Sequence, residues 1–380
     1  MSGLSPRPIV ARPVLPAKRF RKPLPLIVHM LLNIRRLNIR GSPGSVDLLS
    51  VVPPACTAQA AAPDTGQVVA SSSDDEAERE IILQRVRTAI AADDFATLSA
   101  MEDDFRSSRA RTPSGLWKLA AFHAGLQAYL ATGLQRDNGC QYRSANFLQR
   151  WASAAPRNPA PVITNAALLL KQGWCIRGGG YVDTVAAEAW PEFRKSVATA
   201  SETLEKHEKI SSADPEFYAI KLNVLRAQGA SKAAFHDVIE EATAREPYYH
   251  RTYFNAAIYY LPQWGGSYAD VEAFARYAAE RTRTSEHSGF YARVFWSLEE
   301  SRFDVTAKAA DWPKMKQAMR AVYDRYPVGW NGQYFADLSC RMGDGEEGRR
   351  YIRAIHPEAK DEAAFAALFY GCDQRAQTAS

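Results

Sequence analysis

From Ile81 onward, apolar residues recur at helical spacing: Ile81, Ile82, Val86, Ala89 and Ile90 form one stripe, and Phe95, Leu98, Met101 and Phe105 form another. Side chains three and four apart share one face of a helix, so the two stripes predict a helix pair. Ser72-Ser73-Asp74-Asp75 and then Asp93-Asp94 supply the hydroxyls and carboxylates that satisfy free amides at a helix start. Arg111-Thr112-Pro113-Ser114-Gly115 breaks the pattern. A third helix is predicted from Leu116 to Leu130, with Trp117, Phe122, Leu126 and Tyr129 available for packing.

The pattern is most regular after Pro215 and Pro247, which stand 32 residues apart. A proline ends the helix before it and is tolerated in the first turn of the next. Helices are predicted over 217–228 and 232–245, turning at Gly229-Ala230-Ser231, and over 248–261 and 268–281, turning at Pro262-Gln263-Trp264-Gly265-Gly266. Further helices are expected over 312–326, 330–342, 346–355 and 363–370. No stretch joins β-branched residues to period-two alternation, so no sheet is expected and the fold class is all-α.

The 32-residue unit lies near the 34-residue tetratricopeptide period. The chain resembles tetratricopeptide helix pairs, which implies an α-solenoid of stacked pairs. The segments Trp151-(x)4-Pro156, Trp174-Cys175-Ile176-Arg177-Gly178-Gly179-Gly180-Tyr181, Trp190-Pro191-Glu192-Phe193 and Leu261-Pro262-Gln263-Trp264-Gly265-Gly266 also resemble a bacterial domain-of-unknown-function family. That likeness, over roughly residues 90–340, implies fold and bacterial origin and carries over no catalytic residue.

Composition divides the chain. With 46% hydrophobic and 23% charged residues it has an ordinary globular balance. Residues 1–62 read as a leader, 63–78 as an acidic, Ser-rich linker and 79–375 as the helical domain. Nine basic residues, Arg7 to Arg40, precede the first acidic one, Asp47. The other 38 basic residues face all 42 acidic ones, so the body carries about −4 and lacks the basic stripe a nucleic-acid-binding domain needs. The leader's apolar runs, Leu24 to Ile34 and Val46 to Ala55, fall short of the ~20 residues of a membrane-spanning helix. No stable membrane span is expected. The second run, preceded by Arg35 and Arg36 and followed by Ala58-Gln59-Ala60, resembles a secretory signal peptide. A signal places the chain in the periplasm or outside the cell; a disordered basic tail leaves it cytoplasmic. Cys56, Cys140, Cys175, Cys340 and Cys372 show no zinc spacing. An exported chain can pair those left after cleavage, whereas Cys175, beside Trp174 in an apolar helix, is expected to be a small buried hydrophobe.

Candidate chemistry is sparse. The histidines have no HExxH spacing and no GxSxG elbow is present, so no catalytic residue, metal or cofactor is expected. Glu240-Glu241 and Glu299-Glu300 read as solvated helix faces. The most unusual stretch is Arg177 to Tyr181, whose glycines can expose amides to an anion with Arg177 as counter-charge, or simply stop a helix while Trp174, Tyr181 and Trp190 pack across the crossover. On the helix after Pro247, Tyr249, Tyr253, Ala256 and Tyr260 share a side suited to the core. Arg251, Asn255 and Tyr259, with Trp264 beyond, are the candidates for a binding groove. The expected function is a helical-repeat interaction protein that holds a peptide or protein on its concave face without catalysis. The alternative is an enzyme or small-molecule receptor built on the loop at 177–181.

Overall fold

The computed structural model describes residues 72–357 apart from 136–138, 143 and 302. The leader at 1–62, Cys56, Cys372 and the helix expected at 363–370 lie outside the described residues. Within them the fold is all-α: seventeen α-helices and no strand, with one antiparallel bridge between Arg111 and Trp117.

The first three helices are α1 (Ser72–Ala91), α2 (Phe95–Ser108) and α3 (Lys118–Leu130), followed by α4 (Ala145–Ala154). A run of pairs comes next. It comprises α5 (Ala160–Arg177) with α6 (Ala189–Lys206), a short α7 (Glu208–Ser211), α8 (Glu216–Gln228) with α9 (Lys232–Arg245), and α10 (His250–Tyr259) with α11 (Tyr268–Arg281). After the short α12 (Arg283–Glu286) comes α13 (Phe290–Glu300), which packs on α15 (Trp312–Arg325) beyond the short α14 (Thr306–Ala309). The last pair is α16 (Gly329–Arg341) with α17 (Gly345–Ile355).

Local chemistry fixes where the second helices begin. Asp94, Ser231, Ser267, Asp311 and Asp344 each accept a hydrogen bond from the backbone amide three residues on, at the starts of α2, α9, α11, α15 and α17. Each such cap stabilises its helix by ~1 kcal/mol.

The first helices of the pairs form a row in which α5 packs on α8, α8 on α10 and α10 on α13. Trp296 of α13 stacks on Tyr334 of α16 at 4.0 Å and so continues the row. Helix α3 lies across it. This helix is buried nearly all round, from Leu119 to Leu130, as expected of a helix apolar on every side. It packs against α1, α2 and α5, and Trp117 at its start meets Tyr249 at 5.4 Å. Helix α1 runs beside α3, packs on α16, and buries Ile82, Val86 and Ala89.

Two expectations are corrected. The helix begins at Ser72, so residues 72–78 of the expected linker belong to α1. The reason is Asp75, fully buried, which accepts the Ser114 amide at 2.8 Å and pairs with Arg79 at 2.9 Å. Cys175 is not a buried hydrophobe: it is half-buried, faces the turn before α4 and forms a disulfide with Cys140, their Cα atoms 5.7 Å apart. Cys340 is disulfide-bonded too.

Candidate functional site

Trp174, Arg177, Trp190 and Trp264, chosen from separate stretches of sequence, come together. The Arg177 guanidinium lies over the Trp174 and Trp190 rings at 5.4 and 5.1 Å, and Trp264 meets Trp174 edge-on at 5.6 Å. Arg226 of α8 completes the ladder over Trp264 at 5.1 Å. Burial pushes Arg226 down to about 10. Arg177 Nη1 donates to the carbonyls of Gly178 and Gly180, 3.0 Å each. The guanidinium is therefore engaged by its own loop. Moreover, the C-terminal end of α5 presents carbonyls, the negative end of the helix dipole, where an anion would have to sit. Tyr181 stands apart at 79% exposure and packs across nothing. The cluster braces the crossover from α5 to α6.

The groove expected on α10 is largely interior. Asn255 is buried and donates from Nδ2 to the Ala219 carbonyl at 2.8 Å. Tyr259 is buried, stacks on Phe235 at 3.9 Å and donates its hydroxyl to the Ala230 carbonyl at 2.7 Å. Helical spacing placed both residues off the Tyr249 and Tyr253 side, but α8 and α9 cover that second side as well. Arg251 pairs with the fully buried Glu216 at 3.0 Å.

Arg251 and Asn255 nevertheless border a recess of about 80 Å³ where α1, the loop before α3, α10, α13 and α16 converge. Three arginines line it, Arg79, Arg251 and Arg293, against an aromatic wall of Phe254, Trp296 and Trp330. Arg79 lies over Trp330 at 5.0 Å. Arg293 Nη2 donates to the Ser114 carbonyl at 2.8 Å, and its Nε lies 3.4 Å from Glu286 Oε2. Arg251 Nη1 is buried without a hydrogen-bond acceptor, whereas Arg293 Nε faces the Glu286 carboxylate. Gly115 permits this closeness: its φ is +89°, and a Cβ there would lie 2.7 Å from Arg293 Nη2. Glu300, read from sequence as solvated, sits at the exposed rim and accepts from Trp296 Nε1 at 2.7 Å. Its neighbour Glu299 is half-buried and accepts from the Val305 and Thr306 amides.

Behind the recess are two buried charged clusters. In the first, Glu286 receives Arg111 Nη1 at 2.5 Å and the Tyr326 hydroxyl at 3.0 Å, with His250 Nε2 at 3.4 Å. Burial alone would raise the Glu286 carboxyl, but His250, Arg293 and Arg111 together hold it well below the usual range. Burial pushes His250 down to about 4, so it is neutral. In the second cluster, His123 Nε2 meets Asp214 Oδ2 at 2.7 Å, both fully buried. Glu216 next to it receives Gln127 Nε2 at 3.0 Å and the Tyr249 hydroxyl at 2.8 Å. Burial, then Asp214, pushes Glu102 up to about 8, while Arg106 and Asn158 donate to it. Burial lowers the His123 ring, but Asp214 outweighs it and the pKa is raised. Lys171 is pushed down to about 8 by burial and by Arg251.

Sequence reasoning missed Arg79, Arg293, Trp296 and Trp330. One signal for them existed: Arg293, Trp296, Ser297 and Glu300 recur at three, four and seven, one face of a helix. That Arg251 faces the same space is a tertiary fact.

The chain matches no family model, no curated protein and no solved structure. Among the described residues no group of histidine, cysteine and carboxylate side chains is arranged to hold a metal ion, and no helix is long and apolar enough to cross a membrane.

Proposed function

We propose that this chain is a helical-repeat interaction protein: a tetratricopeptide-like α-solenoid that binds a peptide or protein on its concave side and performs no catalysis. The observation that carries the reading is the recess, where arginines and large aromatics converge. These residue types dominate binding energy at protein interfaces because they combine large buried area with directed donors. Supporting it, the row α5, α8, α10 and α13 already holds one helix, α3, laid across it. Helix α3 fills part of that side, so the share open to a partner is the mouth of the recess. The alternative at 177–181 is not carried forward, since Arg177 is spent on the carbonyls of its own loop.

Selection of a random peptide library on the purified full chain tests this. A defined consensus should emerge, and Trp330→Ala should weaken the selected peptides about tenfold. The reading fails if no sequence is enriched while the purified protein turns over a small molecule. The same proposal places the chain in an oxidising compartment, periplasmic or secreted, where a bridge such as Cys140–Cys175 persists. An intact mass measured from the native host that retains the residues before Ala60 would count against it.

A further inference from the structure

Away from the recess, and resting on the reading that the partner is a peptide, we infer a second site. Arg226, Trp264 and Asn223 form it, and it takes a carboxylate with an N–H donor beside it, the chemistry of a polypeptide's carboxy-terminal residue.

Arg226, in the last turn of α8, is the starting point. Among the described residues no carboxylate pairs with its guanidinium, and Nε and Nη1 are buried without acceptors. Arg177, stacked on tryptophan in the same ladder, shows what is missing. It gives Nη1 to two carbonyls of its own loop, whereas Arg226 has the Trp264 ring alone, at 5.1 Å. A ring face attracts the charge but supplies no oxygen to the N–H groups. A buried charge left in that condition is costly.

Two further buried atoms beside it lack partners. One is a donor, Nε1 of the Trp264 ring that Arg226 covers; the other is an acceptor, Oδ1 of Asn223, three residues earlier on the same face of α8. The donors call for an anionic oxygen, and a carboxylate is the group a guanidinium binds most strongly. A single unpaired guanidinium is balanced by one negative charge, which a phosphate dianion at about −1.5 to −2 exceeds. Asn223 Oδ1 repels a bare anion and so selects one that carries an N–H next to it. A carboxy-terminal residue presents both, its carboxylate and its own amide.

The place is open to solvent. Arg226 and Trp264 are half-buried, and Pro262, Gln263 and Gly265 of the turn that carries Trp264 are exposed. A Cβ added at Gly229, just past Arg226, or at Gly265 meets nothing within 4 Å. Helix α8 ends here, but its last carbonyls are already engaged: those of Arg226 and Leu225 accept from the Gly229 and Ala230 amides.

The test uses the full chain with its eight tryptophans nitrogen-15 labelled at the indole, titrated with N-acetylglycine, N-acetylglycinamide, acetate and inorganic phosphate. N-acetylglycine should shift the Trp264 and Trp174 signals with an affinity at least about tenfold above that of the other three. Arg226→Gln should reduce that binding by a similar factor without lowering the thermal midpoint, because it removes an unpaired charge. Trp264→Phe, which keeps a ring beneath Arg226 but removes the indole N–H, should weaken binding severalfold as read at Trp174. Equal binding of N-acetylglycine and its amide, acetate as tight as N-acetylglycine, or tighter binding of phosphate overturns the site. A lowered midpoint with unchanged binding in Arg226→Gln makes the arginine a brace and overturns it too. Peptides selected with a free carboxy terminus separate the sources: loss of about tenfold on amidation of that terminus supports the partner. If N-acetylglycine binds and no peptide does, the site serves a free acid of that kind and the interaction reading fails alone. If peptides bind equally as acids and amides and N-acetylglycine does not bind, this site fails and the interaction reading stands.

Discussion

The two buried charged clusters are equally sheltered from water yet hold their protons in opposite ways. Around Glu286 the cations Arg111 and Arg293 prevail, so the carboxylate stays ionised and His250 stays neutral. Around Asp214 the carboxylates prevail, so Glu102 holds a proton up to about pH 8 and His123 keeps its charge more readily than usual. Burial disfavours charge in both places; the sign of the neighbours decides which group gives it up.

The largest effect that would break this contrast is expected from Glu286→Gln. It leaves Arg111 and Arg293 buried without a carboxylate, which should cost ~3–5 kcal/mol in urea denaturation at pH 7. A cost no larger than that of the equivalent change at Glu102 would show the clusters to be alike.

Next comes pH. His250 is pushed from the usual 6.5 to about 4, so the unfolded chain binds more protons there in that interval, and stability falls by up to about 3 kcal/mol as pH drops through it. Glu286, lowered from 4.5, adds to the loss below that value. The other cluster works in the opposite direction. Glu102 binds its proton in the folded state from the usual 4.5 up to about 8, and His123 is raised above 6.5, so their contributions decline as pH rises. Between pH 5 and 7 the two clusters oppose and largely cancel, whereas above pH 7 only the second acts, so the denaturation midpoint should fall from pH 7 to 9 and His250→Asn should raise the midpoint at pH 5 relative to that at pH 7 while leaving the alkaline fall unchanged.

A smaller loss, ~1–3 kcal/mol, is expected for Asp214→Asn, which keeps the acceptor for the Glu216 amide but removes the charge partner of His123. The His123 ring should then titrate lower, as read by NMR. The smallest effect is expected for Glu102→Gln, ~1 kcal/mol at pH 7, since the amide is as neutral as the protonated acid but keeps an acceptor for only one of Arg106 and Asn158. The alkaline loss of stability should shrink in that variant; an unchanged slope would assign it elsewhere.

Much of the fold was legible because its signals are local. The pairs after Pro215 and Pro247, and the Asp94 start of α2, follow from spacing and capping within a few residues. The site was legible only in pieces. Arg251 and Asn255, which helical spacing assigns to the groove, border the recess, but Tyr259 on the same side lies inside, because a helix covered on two sides has no polar face to give away. Cys175 shows the same limit: its neighbours in sequence are apolar, whereas its partner in space is Cys140, 35 residues away. The recess itself depends on Arg79, Arg293 and Trp330 arriving from three distant helices.

The position of α3 has a consequence for how the chain is made. In an open stack each unit touches only its neighbours, and folding can spread from any point. Here a helix near residue 120 is joined to Asp214 and Glu216 across separations of 91 and 89 residues, and the loop before it to Glu286 and Arg293 across 175 and 179. Such remote closures slow folding. While the chain emerges from the ribosome, α3 can pack on α1 and α2 at once, but the side that meets α5, Asp214 and Glu216 stays open until those residues have been synthesised, and the loop before it waits longer still for Glu286 and Arg293.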